Sequence, residues 1–185
     1  MKLKLIVLTF ITCVALNCAA YAQSETTSSS NTSADTQQAK QGDALDAIER
    51  AIEAQRKAFT GAWEGIVTPE AGGPPPFRIL FTFGGDGTVV AADSGPPSPQ
   101  LGSSEHGAWE RTGNNEFLVI YKQLLFTADG DLDSTFKGRV KFTLNSDGNQ
   151  INGTLLVDLF DPQGNKFLSG AGTIKCTKIK VEPLN

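Results

Sequence analysis

Two hydrophobic periods divide the chain. From Asp43 to Phe59 the apolar residues Leu45, Ile48, Ile52 and Phe59 recur at near-helical spacing, with alanines between them and Glu, Arg and Lys on the other side. That spacing predicts a short amphipathic helix over 43–60. Asp43 is the expected N-cap, Gly61 the stop, and Arg56 and Lys57 suit the negative end of the helix dipole. After Gly61 the period falls to two. Phe136, Gly138, Val140, Phe142 and Leu144 alternate with Lys137, Arg139, Lys141 and Thr143. Ile151, Gly153, Leu155, Val157 and Leu159 repeat the device, and Phe77, Ile79, Phe81 and Phe83 show it earlier. Such alternation buries one face and wets the other, which is the mark of an antiparallel sheet. Eight strands are expected, at about 62–68, 77–83, 88–92, 106–111, 116–126, 135–144, 150–160 and 167–179. No helix-length segment separates any two of them, which excludes a parallel βαβ fold.

The connections between the strands sort by length. Gly84–Gly87, Thr112–Asn115 and Asn145–Gly148 are tight turns, rich in residues that tolerate positive φ. Longer links run over Pro69–Pro76, Asp93–Glu105, Thr127–Asp133 and Asp161–Lys166. In an up-and-down meander alternate connections fall at opposite ends, and here all the tight turns fall at one end. The fold class that follows is all-β: an eight-stranded antiparallel up-and-down barrel over 61–180 with a short N-terminal helix. One end is tight and the other is framed by loops. Closure also removes exposed strand edges. Gly61-Ala62-Trp63-Glu64 recurs as Gly107-Ala108-Trp109-Glu110 at unequal spacing from the later turns. The recurrence marks similar hairpins rather than a fixed-period repeat. Trp63 and Trp109 are expected to fill the barrel and close it.

Ahead of the helix, residues 23–42 are dominated by Ser, Thr, Gln, Asn and Asp with no large apolar residue, so a disordered leader is expected there. Residues 1–22 have the form of a signal peptide: Lys2 and Lys4, an apolar run from Leu5 to Leu16, then Ala20-Tyr21-Ala22. The run is shorter than the roughly 20 residues a membrane span needs. Asn17 stands before Cys18 where a lipoprotein signal wants a small residue, which favours cleavage after Ala22 and export to the periplasm or beyond. Processing there removes Cys13 and Cys18, leaves Cys176 as a lone thiol with no internal disulfide, and takes the formal charge from −4 to −6 by loss of Lys2 and Lys4. Export permits disulfides, so stability must come from a packed core. The acidic balance argues against binding nucleic acid, which needs a basic face. One His and three Cys in the whole chain exclude a zinc finger or an iron–sulfur site, and no cofactor or metal is expected.

Candidate chemistry is sparse. Glu105-His106 is a conceivable acid–base pair, since imidazole titrates near neutrality. Neighbouring strand residues point to opposite faces, however. If Gly107 and Trp109 point inward, so does Glu105, and His106 points out. Asp129, Asp131 and Asp133 mimic the opening of a calcium loop, but Ser134 and Val140 stand where an EF-hand needs Gly and Glu. Lys137, Arg139 and Lys141 read as a solvated outer face, Cys176 as a small buried hydrophobe, and no catalytic residue is assigned. The strand over 116–126 is apolar on both sides. If its odd set faces in, Tyr121 and Gln123 bring polar groups into an apolar interior, the usual make-up of a ligand pocket. A barrel of eight strands is only just wide enough for one, and side chains can fill it.

A helical lead-in, Gly61-x-Trp63 at the start of the first strand and eight meander strands resemble the calycins, the lipocalins and their relatives, over about residues 58–180. The run of Gly-x-Trp, Pro-rich loop, Phe-rich strand, Asp-Gly turn and His106-Gly107-x-Trp109 also resembles an uncharacterised family of exported bacterial proteins. The lipocalin resemblance implies a basic residue on the last strand across Trp63, with Lys175 or Lys178 in that role. It implies that the helix reaches the first strand from the closed end, and that the loops frame an open mouth. Two features depart from it: no long helix follows the last strand, and there is no disulfide. The expected function is binding of a small apolar or amphipathic molecule at the mouth, with Phe77, Tyr121 and Gln123 as ligand-binding residues. A cyclase- or isomerase-like barrel enzyme and a filled barrel serving as a structural module of the cell envelope remain the alternatives.

Overall fold

The computed structural model describes residues 31–95 and 101–184 of the protein. The expected signal segment over 1–22 and residues 23–30 of the expected leader lie outside them. A helix α1 (Asn31–Phe59) is followed by nine strands: β1 (Gly61–Pro69), β2 (Phe77–Phe83), β3 (Thr88–Asp93), β4 (Leu101–Gly102), β5 (Glu105–Gly113), β6 (Glu116–Phe126), β7 (Leu132–Leu144), β8 (Gln150–Phe160) and β9 (Lys166–Lys178). The chain divides into two units at Asp43. The described part of the first unit, from Asn31, is helical, and the second holds the barrel.

Eight strands close on themselves. Antiparallel pairing runs β1–β2–β3–β5–β6–β7–β8–β9, and β9 returns to β1 with Trp63 opposite Lys178 and Val67 opposite Ile174. The ninth strand, β4, lies in the expected Asp93–Glu105 loop and pairs with the far end of β6. Burial follows the alternation. Phe81, Phe83, Val119, Val140, Phe142, Ile151 and Ile174 point inward and are buried, while Lys141, Thr143 and Lys175 between them are exposed.

Three expectations are corrected. The helix does not begin at Asp43 but at Asn31, so 31–42 are helical rather than a disordered leader and Asp43 is no N-cap. Ala34, Gln37, Gln38, Ala39 and Lys40 are good helix formers with no proline among them, so a helix anchored at its C-terminal end propagates back through them. The amphipathic stripe is also partial: Leu45 is 62% exposed and Ile48 is exposed too, leaving Ile52 and Phe59 to make the packing. The loop asymmetry is narrower as well. β6–β7 and β8–β9 turn tightly over 127–131 and 161–165, where Gly130 and Gly164 take positive φ and backbone bonds link Thr127 to Asp131 and Asp161 to Asn165. The strands take up the rest of those links. Longer connections frame the mouth only on the β1–β2 and β3–β5 side.

The closed end is solid. Phe59, from the last turn of α1, enters the barrel and is 0% exposed. Its ring stacks on Phe117 at 4.0 Å between centroids and meets Phe83 at 4.3 Å and Trp109 at 5.0 Å. Trp63 Nε1 donates to the Phe59 carbonyl at 2.9 Å. Arg56 donates to the Gly85 carbonyl, and Gln55 donates to Asn114 Oδ1 and accepts from Arg111. The last turns of the helix are thereby tied to two of the tight turns.

Above this stack sits Tyr121, flanked by Gly107 on β5 and Gly138 on β7. The ring lies over Gly138 so closely that a methyl group there would collide with it, and one at Gly107 would strike the Ile120 carbonyl. Glycine at 138 is what admits the tyrosine ring, and glycine at 107 is what lets the β6 backbone come so close. Gly138→Ala is expected to cost about 1–3 kcal/mol, as overpacking of a tight core does. Urea unfolding measures it, and an unchanged midpoint would show that the ring has room to move.

Candidate functional site

The inward positions change character above Tyr121. On the β6–β7–β8–β9 rung Gln123 faces Phe136, Phe136 faces Leu159 and Leu159 faces Leu168; one rung below, Gly138 faces Val157 and Val157 faces Gly170. Phe136, Val157 and Leu159 are only half-buried and Leu168 is exposed, although all share the inward face with the buried core. A methyl group added to Gly170 meets nothing within 4 Å. Across the barrel Phe77, inward and half-buried, stands opposite Val67. The mouth is therefore an open apolar cup whose floor is Tyr121.

One wall of the cup carries an exposed acid, Asp93, with a second one sealed beneath it. Glu105, at the start of β5 opposite Ala91, is 0% exposed. Among the described residues no donor reaches either of its carboxyl oxygens. The polar group beside it is a second carboxyl, Asp93, one inward step beyond Ala91 on β3. Burial pushes Glu105 up to about 8, and Asp93 adds to this by repulsion and by accepting the Glu105 proton. At neutral pH Glu105 is a buried acid that keeps its proton, beside an exposed second carboxyl. Burial also drives the Tyr121 hydroxyl well above its ordinary range, with the Glu105 and Asp93 charges adding to the effect.

The expected site residues fall as follows. Phe77, Tyr121 and Gln123 all point inward at the mouth end. Tyr121 is 2% exposed and packs edge-on against Phe81 at 5.6 Å, so only the top of its ring meets the cup. Gln123 Nε2 donates to the Ser103 carbonyl at 2.9 Å, tying β6 to the segment between β4 and β5. Trp63 and Trp109 are buried at the closed end. Lys178 lies over the Trp63 ring at 5.1 Å and donates to the Ala58 carbonyl. Lys175 takes no part: three residues away on a period-two strand, it points outward between Ile66 and Asn152. Glu105 and His106 are split by the pleat, with His106 outside and opposite Lys122. Among the outer basic residues Arg139 pairs with Asp158 at 2.7 Å and Lys141 with Glu116 at 2.9 Å. Cys176 is buried, and burial pushes its thiol up to about 12, so it is no nucleophile at neutral pH.

No family model matches the chain, and no curated protein matches it.

The cup, not a motif, is thus the feature that calls for a function. Asp93 and Phe136 carried no motif, and Glu105 stood out only beside His106 and as an inward residue, four positions before Trp109. A separate cleft of about 340 Å³ lies outside the barrel, between Ile52 and Arg56 of α1 and the Asp86–Gly87 turn. Its polar groups are largely engaged already, Arg56 by Gly85, Arg111 by Gln55 and Asp86 by Thr88. It is a seam between helix and barrel. Among the described residues no group of three His, Cys, Asp or Glu side chains is placed to hold a metal ion, and no helix is long and apolar enough to cross a membrane.

Proposed function

We propose that the protein is an exported barrel that binds a small amphipathic molecule in the cup at its mouth. The observation that carries this is the inward apolar surface of Phe77, Phe136, Val157 and Leu159, left half-open where every inward residue below it is packed. A pocket of this kind pairs apolar lining with few polar groups, and Gln123, Glu105 and Asp93 supply them. The solid closed end leaves room for a ligand only above Tyr121. Export rests on the residues of the N-terminal segment, and the calycin resemblance points to the same class of binder.

A neutral fluorophore, N-phenyl-1-naphthylamine, tests the reading. It should brighten on binding and saturate at one equivalent. Gly170→Trp, which places an indole in open space within the cup, should abolish that signal while leaving the unfolding free energy within about 0.5 kcal/mol of the parent. A signal that survives Gly170→Trp, or none with the parent chain, would refute binding in the cup. Glu105 also favours a second reading, an isomerase- or cyclase-like barrel, because an acid titrating near neutrality is suited to proton transfer. Molecules captured by the protein should then be recovered rearranged, and recovered unchanged from Glu105→Gln.

A further inference from the structure

Building on that reading of the cup, we infer that its ligand carries a protonated amine, held by the Glu105 and Asp93 carboxyl groups while its apolar portion lies against Phe77, Phe136 and Val157. Glu105 has two buried oxygens, both acceptors when ionised, and no donor of the protein among the described residues reaches them. A buried carboxyl without a donor forgoes one or more charge-assisted hydrogen bonds, so a ligand that brings donors recovers them. The second group on that wall is another acceptor, Asp93, whose Oδ1 is engaged by the Gly95 amide at 2.8 Å. Two carboxyls side by side repel an anion and reward a cation.

The remaining inward groups narrow the class. β1, β2, β7 and β8 present no titratable side chain on their paired inward faces. β6 presents Tyr121 with neutral Gln123 above it, and β9 presents Cys176 below. Lys178, the inward cation of β9, lies at the closed end against Ala58. Arg111 of β5, on the same parity as Glu105, also lies at the closed end, where it donates to Gln55, so among the described residues no positive charge at the mouth competes with a bound cation. A hard divalent ion needs six or more oxygens, and this wall offers two carboxyls among aromatic rings. An ammonium on an apolar stem needs only three acceptors and gains further from nearby ring faces.

Binding is then tied to a proton. Glu105 is protonated at neutral pH; when the ammonium docks it displaces what seals Glu105 from the cup, the proton leaves to solvent and the carboxylate takes the ligand's N–H groups. Burial sets the Glu105 titration at about 8. Below that pH each bound amine must displace one proton, so apparent affinity rises up to about tenfold per pH unit toward 8 and levels off above it. It falls again where the amine itself deprotonates, near 10 for an alkylamine.

Calorimetric titration of the full chain with n-octylammonium, n-octanol and n-octanoate at about pH 8.5 tests this. Octylammonium is expected to bind roughly ten- to a hundredfold more tightly than octanol, the yield of hydrogen bonds to a charged group, with octanoate weakest. At about pH 6.5 the preference should shrink, and buffers of different ionisation enthalpy should report release of one proton per amine. Glu105→Gln should lose both the preference and the proton release, and Asp93→Asn should weaken the amine alone. Octanol binding as tightly as the amine, or a preference that survives Glu105→Gln, overturns the amine while leaving the apolar cup standing. If neither octylammonium nor octanol binds and the neutral fluorophore also fails, the cup itself is refuted.

Discussion

Replacing Phe59 by alanine is expected to lower the stability of the fold by about 3–5 kcal/mol, the range found when a buried phenylalanine is truncated. The ring is fully buried at the centre of the closed-end stack, within 4.0–6.3 Å of Trp63, Phe83, Trp109, Phe117 and Phe142. Those partners sit on separate strands around the barrel, so the hole left behind cannot close by a shift of one of them. The same residue positions the carbonyl that accepts from Trp63, so the loss extends to the helix anchor. Urea unfolding followed by the fluorescence of Trp63 and Trp109 measures the effect. Leu45→Ala and Ile48→Ala, on the exposed part of the same helix, are the controls and should change little, within about 0.5 kcal/mol. A loss below about 1 kcal/mol at Phe59 would mean that the helix is dispensable to the barrel.

Glu105→Gln is expected to make the protein more stable, and to do so only at higher pH. The carboxyl titrates at about 8 in the folded protein against 4.5 without burial. Below 4.5 both folded and unfolded chains carry it neutral, and it exerts no penalty. As pH rises from 4.5 toward 8 the unfolded chain ionises it while the folded chain holds it protonated, so stability drains away; above 8 the difference is constant. The full gap is on the order of 5 kcal/mol. Glutamine keeps the shape and removes the titration. The difference in unfolding free energy between the two chains should therefore be small at about pH 4 and grow to several kcal/mol by about pH 9. Asp86, Asp158 and Asp161 act in the opposite sense. Their hydrogen bonds, to Thr88, Ser169 and Asn165 first, hold them below the usual range, so what they contribute is lost on acidification through their folded titration, in both chains alike. A gap between parent and variant that does not change with pH would show that Glu105 is solvated.

Much of the barrel was legible along the chain because alternation is local. A residue's face depends only on its parity within its strand, so Trp109 inward forces Glu105 inward and His106 outward, as the structure has them. The strand over 116–126 is apolar on both sides, so parity left it open; its pairing with β5, Tyr121 opposite Gly107, puts Tyr121 and Gln123 on the same interior as Phe77. The resemblance left Lys175 and Lys178 as alternatives, which the register decides: Trp63 stands opposite Lys178. Helix length was less legible. Residues 31–42 lack any packing signal, and their intrinsic propensity carried the helix further than hydrophobic spacing implied.

The strand pattern, most of the inward set and three of the tight turns follow from the sequence alone, because steric alternation and turn chemistry act over a few residues. Three features were decided only by the tertiary structure. Phe59 is a plug and not merely a helix residue, because the entry angle of α1 carries it past Trp63 into the stack. The cup is open above Tyr121 and solid below it, because Gly138 makes room for that one ring to fill the layer. Glu105 lacks a donor, because what faces it depends on how strands distant in the chain are staggered around a closed barrel. Local periodicity says which way a side chain points, and closure says what it meets there.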